Sequence, residues 1–393
     1  MTALNALTAL TELNALPPRV EGTTHPRFEA VREAFARSFA DGLEHGAAVS
    51  VVLDGETVVD LWGGHRTTDR RLPWQADTLV NVWSVTKGVV ALAVAMLVER
   101  GLLDYTQPVA RYWPEFAAGG KAHITLDWVM SHQAGLDGLR EALTHEALYA
   151  RQPVVDALAA MAPLWPPGSR CVYHPMTYGF LVGELVRRVD GRSLGQFIAE
   201  EISQPLGLSF FIGLPLAQEP RVAELSADEK AYDWVHFGAQ SDYPHAFQKP
   251  GLNALLANER AWRAAEIPGA NGHADARSLA CLYGLLAGGG SHQGVNLISK
   301  AGLARATATR FDGLDACYSA PTVFAAGFRK GSSGFGAHAG NDHFGHTGWG
   351  GSVAFADPDQ RLGFAFVSNR MLGFDDGLDP RRVRLLDAVY AAL

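Results

Sequence analysis

The stretch Asn81-Val82-Trp83-Ser84-Val85-Thr86-Lys87-Gly88 is followed by the uncharged apolar run 89–98. An apolar run of this length without alternation predicts a buried helix rather than a strand. Ser84 and Lys87 are three residues apart, so they share one helix face and their polar atoms can meet. Ser84 is expected at the helix N-terminus, where backbone N–H groups favour developing negative charge. The sequence therefore predicts a central buried helix with a serine and a lysine at its start.

The serine and the lysine together can support nucleophilic chemistry. A serine hydroxyl is a weak nucleophile until a base takes its proton, and a partly desolvated lysine can act as that base or assist a second one. A Ser-x-x-Lys sequence taken alone is a frequent accident. The assignment of Ser84 and Lys87 therefore depends on groups elsewhere in the chain.

The composition indicates a soluble globular protein. Of the 393 residues, 48% are hydrophobic and 19% are charged, which are ordinary values for folded domains. This length exceeds a single small core, so one large domain with an insertion, or two domains, is expected. The net charge of −8 argues against a nucleic-acid partner, because phosphate contacts require an excess of Lys and Arg.

The cysteines and the apolar runs indicate where in the cell the protein is expected. Cys171, Cys281 and Cys317 are far apart and odd in number, so reduced thiols in a cytoplasmic setting are expected rather than disulfides. Residues 1–16 contain no Lys or Arg and no long apolar core, unlike a signal peptide. No stretch approaches the roughly 18 uninterrupted apolar residues of a membrane span. We therefore predict a cytoplasmic protein without a membrane partner, and the sequence does not specify its oligomeric state.

Strand patterns occur near both ends of the chain, and mostly helical patterns lie between them. Asp54-Gly55 joins two β-rich runs, which is a strong hairpin signal. The predicted strands are 47–53, 57–62, 324–328, 351–356 and 362–368. The predicted helices include 28–39, 125–132, 154–161, 176–189, 194–202, 274–286 and a last one that opens at Asp379-Pro380 and buries Val383, Leu386, Tyr390 and Leu393.

The economical architecture for this order is an α+β fold. One antiparallel sheet is built from both ends of the chain, with flanking helices and a mostly helical insertion. We predict an N-terminal segment over residues 1–20, an α/β domain from 21–110 and 265–393, and a mainly helical domain over 111–264. The active site is expected between the two domains.

Two further segments contain groups that can take part in catalysis. Pro167-Gly168-Ser169-Arg170-Cys171-Val172-Tyr173-His174 places Tyr173 on a loop just before a helix. Gly345-His346-Thr347-Gly348-Trp349-Gly350-Gly351 opens a strand that we expect at a sheet edge beside the serine, and its glycines would let a substrate approach closely. An oxyanion hole needs two donors, and the backbone N–H groups of Ser84 and Trp349 are the candidates.

With these segments in this order, the sequence resembles the serine β-lactamase/penicillin-binding protein superfamily. It is most similar to the class C-like esterase branch, often called family VIII carboxylesterases. The resemblance covers nearly the whole chain after about residue 20 and is carried by Ser84-Val85-Thr86-Lys87, Ser131-His132-Gln133-Ala134-Gly135-Leu136, Pro167-Gly168 with Tyr173, and His346-Thr347-Gly348. It implies a β-lactamase-like fold, a serine that is acylated, and a lysine and a tyrosine that transfer protons.

The resemblance assigns catalysis to Ser84, Lys87 and Tyr173. Contacts with the substrate are expected from Trp83, Gln133, His346, Thr347, Gly348 and Trp349. We expect Tyr173, held near its anionic form by Lys87, to take the Ser84 proton. The sequence leaves open which of the two is the primary base.

Two departures from the family's motifs favour ester over lactam hydrolysis. The family's Tyr-x-Asn triad reads Tyr173-His174-Pro175, so the asparagine that helps to orient a lactam amide is absent. The Lys-Thr-Gly of true β-lactamases reads His346-Thr347-Gly348, which weakens the cationic carboxylate anchor. A neutral or half-charged imidazole suits uncharged esters better than penicillin carboxylates. The predicted function is a serine carboxylesterase for small to medium esters.

Other functions stay open at this point. The alternatives among enzymes are a β-lactamase or D-Ala-D-Ala peptidase-like amidase and an acyltransferase. A non-catalytic binding module is the alternative of another class, and the intact catalytic set argues against it. Asp342, His343 and His346 lack the ligand spacing of a metal site, so no metal and no cofactor is predicted. Tyr173 and His346 also fit the plainer roles of a half-buried tyrosine and a loop histidine.

Overall fold

The structure is a computed structural model that describes residues 19–232, 251–374 and 379–393. Most of the predicted N-terminal segment therefore lies outside the described residues. The strands are β1 (Val20–Thr24), β2 (Gly46–Leu53), β3 (Glu56–Gly64), β4 (Val80–Asn81), β5 (Phe210–Phe211), β6 (Ser226–Ala227), β7 (His273–Ala274), β8 (Ser291–His292), β9 (Val295–Asn296), β10 (Phe311–Asp315), β11 (Ala320–Phe324), β12 (Arg329–Lys330), β13 (Phe344–Thr347), β14 (Val353–Asp357), β15 (Leu362–Ser368) and β16 (Arg370–Met371). The helices are α1 (Glu29–Ala40), α2 (Thr86–Glu99), α3 (Leu126–Met130), α4 (His145–Tyr149), α5 (Gln152–Ala160), α6 (Thr177–Asp190), α7 (Leu194–Ile198), α8 (Gln204–Leu206), α9 (Glu229–Tyr232), α10 (Arg260–Ala264), α11 (Ala276–Ala287), α12 (Lys300–Thr307), α13 (Ser332–Phe335) and α14 (Pro380–Tyr390).

Strands from both ends of the chain form one antiparallel sheet. Within the described part of the chain its order is β1-β3-β2-β15-β14-β13-β12-β11-β10. The N-terminal and C-terminal strands meet at the pair of β2 and β15, which extends from Ala47↔Ser368 to Leu53↔Leu362. Both strands are apolar and almost wholly buried, because each has covered surface on both of its faces. The predicted sheet built from both termini is confirmed.

Helices cover both faces of this sheet. On one face α1 and α14 pack together, and Phe35, Leu385 and Val389 join strand residues there in one apolar cluster. On the opposite face α11 packs against β2, β14 and β15. The approach is close, since a Cβ added to Gly363 of β15 would lie 2.2 Å from the backbone nitrogen of Gly284 in α11.

The apolar run that the sequence assigns to a buried helix lies in α2. Every residue from Thr86 to Val98 is buried. Because this helix is apolar all round rather than along one stripe, core surrounds it on every side. The chain leaves it at Gly101, whose φ of 73° is left-handed, as is common after helix ends. The buried helix predicted from the sequence is confirmed, and it places Ser84 and Lys87 inside the molecule.

The strand predicted at 324–328 is wrong. β11 ends at Phe324, and the chain turns through Gly327, whose φ is 86°, before β12 begins. The Gly-rich strand was expected at a sheet edge, but β13 lies between β12 and β14. Because β12 is short, its register with β13 stops at Gly345. The last two residues of β13 therefore have no β12 residue opposite them.

The predicted buried face of the last helix is confirmed at Leu386 and wrong at Val383 and Leu393. Val383 is 37% exposed, and the buried residues of α14 are Arg381, Leu385, Leu386 and Val389. The buried face includes Arg381, which is paired with Asp379 and Glu44, and an apolar pattern does not indicate a buried charge. The predicted start of this helix at Asp379-Pro380 is confirmed, and the Asp379 side chain caps it by accepting from the Arg381 backbone N–H.

Helices prevail over residues 111–232 and 251–264, where α3 to α10 lie together with the short strands β5 and β6. The division into an α/β domain and a mainly helical domain at residues 110/111 and 264/265 stays a prediction. Across residues 19–232, 251–374 and 379–393, no helix has both the length and the apolar character that a membrane crossing requires.

Candidate active site

Ser84 lies in the turn that leads into α2. Its carbonyl accepts from the Lys87 backbone N–H at 3.0 Å. The preceding residue, Trp83, has a left-handed φ of 49°, which a bulky residue adopts only where its surroundings enforce it. The Trp83 ring is held between Trp262 and Trp349, at centroid distances of 5.4 Å and 4.8 Å. The turn thus sends the Trp83 side chain into the core and brings the Ser84 side chain to the wall of a cavity.

Lys87 is completely buried, and its amine has three polar neighbours. Nζ lies 3.1 Å from Ser84 Oγ, 2.8 Å from the Pro175 carbonyl oxygen and 2.7 Å from the Gly269 carbonyl oxygen. Burial lowers the pKa of Lys87 well below its usual 10.5, because the ammonium loses its hydration. A neutral amine has two N–H donors and one lone pair, which match the two carbonyls and the hydroxyl.

Tyr173 lies on the opposite side of the serine hydroxyl. Its Oη donates to Ser84 Oγ at 2.8 Å, and its backbone N–H donates to Asp315 Oδ1 at 3.1 Å. Burial raises the pKa of Tyr173 above its usual value, so the phenol is neutral. Lys87 Nζ lies 4.8 Å from the ring centroid, over the ring face. The expectation of a near-anionic Tyr173 is therefore wrong for this state.

The segment 131–136 supports the tyrosine loop. The backbone N–H groups of Val172 and His174 donate to the carbonyl and Nδ1 of His132, at 3.0 Å and 3.2 Å. His174 Nε2 accepts from the Leu136 N–H at 3.2 Å, and its Nδ1 donates to the Val172 carbonyl at 2.6 Å. These bonds assign a neutral tautomer, and burial lowers the pKa of His174 to about 4. The segment therefore shapes the loop that carries Tyr173.

The glycine-rich segment brings its backbone against the serine turn. A Cβ added to Gly348 would lie 2.4 Å from the Val82 carbonyl oxygen, so only glycine fits there. The Gly348 N–H donates to the Ser352 carbonyl at 2.6 Å, which closes a tight turn around Trp349. This approach carries the Trp349 backbone towards the nucleophile, as an oxyanion donor requires. The oxyanion role of the Ser84 and Trp349 N–H groups stays a prediction.

A cavity of about 460 Å³ opens beside Ser84. Its described lining includes Ser84, Tyr173, Tyr318, Arg329, Ser332, Ser333, His346, Thr347, Gly348, Trp349, Leu372, Phe374 and Arg382. Of the predicted substrate contacts, Trp83 and Gln133 are not among the described lining residues. Trp83 is 1% exposed, and Gln133 Nε2 donates to Ser131 Oγ at 2.7 Å. Substrate contact by these two residues stays a prediction.

His346 reaches the cavity as a neutral ring. Its Nδ1 donates to the Thr347 carbonyl at 2.7 Å, and Nε2 has no hydrogen-bond partner among the residues that the structure describes. Burial lowers the pKa of His346 well below its usual value. The lysine of the true β-lactamase motif is thus replaced by an uncharged acceptor.

Sequence reasoning missed the cationic part of the cavity wall. Arg329 and Arg382 both line it, and Arg329 Nη1 donates to Thr347 Oγ1 at 3.2 Å. Tyr318 was also missed, and its ring lies 5.6 Å from the Tyr173 ring. No local motif marks these residues, because β12, α14 and the turn after β10 meet at the cavity only in the folded chain.

A serine between a buried amine and a phenol suggests one family of hydrolases. A family model described as Beta-lactamase matches residues 32–388 of the chain. The chain belongs to the beta-lactamase family. Membership in the beta-lactamase family extends over the sheet, the helical middle and the site, because the matched range includes nearly all described residues.

Similar proteins place the chain more closely within the beta-lactamase family. The esterase/beta-lactamase LipL of Mycobacterium tuberculosis (strain ATCC 25618 / H37Rv) is 39% identical over 367 residues, which are 90% of this chain and 84% of that protein. A crystal structure of a family VIII carboxylesterase is 41% identical with a TM-score of 0.89, covering 95% of this chain and 100% of that one. A penicillin-binding protein homologue from Caulobacter crescentus is 42% identical with a TM-score of 0.86, at the same coverage. The predicted β-lactamase-like fold and the resemblance to family VIII carboxylesterases are confirmed.

Proposed function

We propose that the protein is a serine carboxylesterase that hydrolyses small to medium carboxylic esters through an acyl-enzyme on Ser84. The observation that carries the proposal is the position of Ser84 Oγ, 3.1 Å from Lys87 Nζ and 2.8 Å from Tyr173 Oη. Relatives described as an esterase/beta-lactamase and a family VIII carboxylesterase support esters as substrates. A cavity of about 460 Å³ is in the range that holds small-molecule ligands.

Lys87 is the first base in this proposal. Its neutral amine directs two N–H groups to the Pro175 and Gly269 carbonyls, which leaves the lone pair for the Ser84 proton. Ser84 Oγ then attacks the ester carbonyl carbon, and Lys87 becomes an ammonium. The backbone N–H groups of Ser84 and Trp349 hold the oxyanion.

Tyr173 serves the leaving group and the water. When the tetrahedral intermediate collapses, the Tyr173 hydroxyl gives its proton to the departing alkoxide and becomes a transient phenolate. In the second half, the phenolate takes a proton from water, whose oxygen attacks the acyl carbon. Ser84 leaves with the proton of the Lys87 ammonium, so both groups return to their neutral forms.

A second candidate function is the opening of β-lactams or related amides that carry a carboxylate. The observation in its favour is the presence of Arg329 and Arg382 in the cavity wall, since guanidinium groups bind carboxylates well. The neutral His346 and the loss of the motif asparagine at Pro175 argue for esters. An ester with a carboxylate on its acyl or alcohol part would satisfy both sets of observations.

A paired assay tests the proposal, with p-nitrophenyl butyrate and nitrocefin as substrates. We expect fast ester cleavage, slower lactam opening, and loss of both in Ser84→Ala without loss of the fold. Ser332→Ala is the matched control, because Ser332 lines the same cavity, and it should keep most of the turnover. Residual activity above a few per cent in Ser84→Ala would refute the nucleophile assignment.

Other results of this assay would favour a function other than ester hydrolysis. Faster lactam opening than ester cleavage would favour the amidase function over the esterase. If the wild type turns over neither substrate, an acyltransferase, in which an alcohol replaces water, or a binding role would be favoured.

The cytoplasmic location predicted from the cysteines belongs to the same proposal. Enzyme found outside the cytoplasmic fraction of its cells would contradict it.

A further inference from the structure

Arg381 is a fully buried arginine that the proposed mechanism does not use. It lies in the first turn of α14 and has no exposed surface. Its Nε and Nη2 donate to the Asp379 carboxylate, at 3.0 Å and 2.6 Å, and Nη1 lies 3.4 Å from both Glu44 carboxylate oxygens. A buried guanidinium requires such partners, because desolvation opposes its charge.

Besides a 3.4 Å contact from Nη1 to Ser368 Oγ, this guanidinium donates to two backbone carbonyls. Nη1 donates to the Arg370 carbonyl and Nη2 to the Gly350 carbonyl, each at 2.7 Å. The Leu372 N–H also donates to the Gly350 carbonyl, at 3.2 Å. Two donors therefore fix the orientation of the peptide unit that begins at Gly350. That unit lies two peptide units after the Trp349 N–H, which is the predicted second donor of the oxyanion hole.

The packing leaves the glycine-rich segment no room on the arginine side. Gly351 has a φ of 127°, and a Cβ there would lie 2.2 Å from Arg381 Nη2 and 2.6 Å from Asp379 Oδ2. On the other side, Gly348 lies against the Val82 carbonyl of the serine turn. The segment 348–351 is thus held between the buried arginine and the turn that carries the nucleophile.

We propose that Arg381 is a positioning residue that fixes the Trp349 N–H for the oxyanion by holding the Gly350 carbonyl. This inference rests on the proposed function, because it assigns a purpose to the arginine only if Ser84 is acylated. An arginine with a merely structural role would anchor the start of α14 and leave the kinetics of the folded enzyme unchanged. Its planar fork reaches Asp379, Glu44 and two carbonyls at once, which a lysine cannot do.

The test compares Arg381→Lys with two controls in the full-length protein. Arg381→Lys keeps a cation but loses the fork that reaches Gly350. Glu44→Gln disturbs the same buried cluster without touching Gly350. Arg384→Gln, on the same helix, removes an ion pair of 2.8 Å with Asp41 on the outside of the molecule.

Three readouts separate positioning from stability. They are the turnover of p-nitrophenyl butyrate, the affinity for phenylboronic acid as a tetrahedral mimic, and the rate of labelling by a fluorophosphonate. In the labelling reaction Ser84 Oγ bonds to phosphorus, fluoride leaves, and Lys87 takes the proton. For Arg381→Lys we expect kcat, boronate affinity and labelling rate to fall about tenfold or more, with KM changed less than about threefold. Both controls should keep wild-type values.

A folded Arg381→Lys enzyme with unaltered kcat and labelling rate would overturn the inference. If Arg381→Lys does not fold, Asp379→Asn takes its place, because it loosens the hold on Nη2 and leaves Gly350 untouched. We expect about a threefold loss in labelling rate for Asp379→Asn, and no loss would overturn the inference as well. A wild type that is labelled but hydrolyses no ester would refute the proposed function alone, and the labelling rates of the variants would still decide the role of Arg381.

Discussion

The protonation of the site depends on the contacts of Lys87 more than on those of Tyr173. With both side chains neutral, Ser84 has one acceptor for its proton and one donor to its oxygen, and no charge is buried. The reverse assignment, an ammonium and a phenolate, would bury two charges whose stabilisation requires close pairing. Nζ lies over the Tyr173 ring face at 4.8 Å from the centroid, which is a poor position for that pairing. The resting site is therefore neutral.

This assignment predicts that the effect of Tyr173→Phe depends on the leaving group. If Tyr173 protonates the departing alkoxide, the loss should be about a hundredfold or more for esters of simple alcohols. It should be several times smaller for p-nitrophenyl esters, because p-nitrophenolate leaves without a proton. The measurement is kcat/KM of wild type and variant on ethyl butyrate and p-nitrophenyl butyrate. Equal losses on both esters would return the role of first base to Tyr173.

The sequence predicted the three central residues of the site and the part of the cavity wall at 346–349, but not the wall that Arg329, Arg382 and Tyr318 form. Ser84, Lys87 and Tyr173 belong to short motifs whose order along the chain is informative, and the structure brings them within hydrogen-bonding distance. Arg329 and Tyr318 belong to no motif. They reach the cavity from β12 and from the turn after β10, and this placement depends on long-range strand pairing that no local pattern encodes.

Secondary structure elements were predictable where their own residues determine them. The run 89–98 is apolar on all sides and forms part of α2, and Asp54-Gly55 closes the hairpin of β2 and β3. Prediction failed where a neighbour determines the element. β10 has the sequence Phe-Asp-Gly-Leu-Asp, with Leu314 58% exposed, and it forms a strand because β11 pairs with it. Residues 324–328 are apolar, yet Gly327 turns the chain.

The close contact between α11 and β15 predicts that one added methyl group at this contact will destabilise the protein. A Cβ on Gly363 would lie 2.2 Å from the Gly284 backbone nitrogen and 2.4 Å from the Ala280 carbonyl oxygen. Backbone cannot yield as a side chain can, so Gly363→Ala should lower the free energy of unfolding by about 3 kcal/mol. Urea unfolding measures this change.

Gly183→Ala is the matched control for this prediction. Gly183 is also buried and lies within α6, but the nearest atom to an added Cβ is Pro268 Cγ at 3.6 Å, an ordinary contact. Alanine is the better helix former, so this variant should be neutral or more stable by up to about 1 kcal/mol. An effect of Gly363→Ala as small as that of Gly183→Ala would mean that α11 and β15 can move apart.

At the scale of the whole molecule, the two ends of the chain are joined at a buried polar cluster. Glu44 lies just before β2, Ser368 ends β15, and Asp379 and Arg381 begin α14. Ser368 Oγ donates to a Glu44 carboxylate oxygen, and Arg381 contacts both carboxylates. The same arginine holds the Gly350 carbonyl, so the junction that closes the sheet also borders the active site.

This junction predicts a pH dependence of stability with a defined sign. Burial raises the pKa of Glu44 from 4.5 to about 7, against the opposing attraction of Arg381. The folded state then binds a proton at Glu44 more tightly than the unfolded state does, so protonation of Glu44 stabilises the fold. This stabilisation is fully present below pH 4.5 and is lost as the pH rises through 7. The Glu44→Gln variant has no carboxyl group at this position. The difference in stability between wild type and variant therefore reports the titration of Glu44. We expect the stability of the wild type relative to Glu44→Gln, measured by urea unfolding, to be greater at pH 5 than at pH 8. An equal difference at both pH values would mean that Glu44 stays ionised beside Arg381.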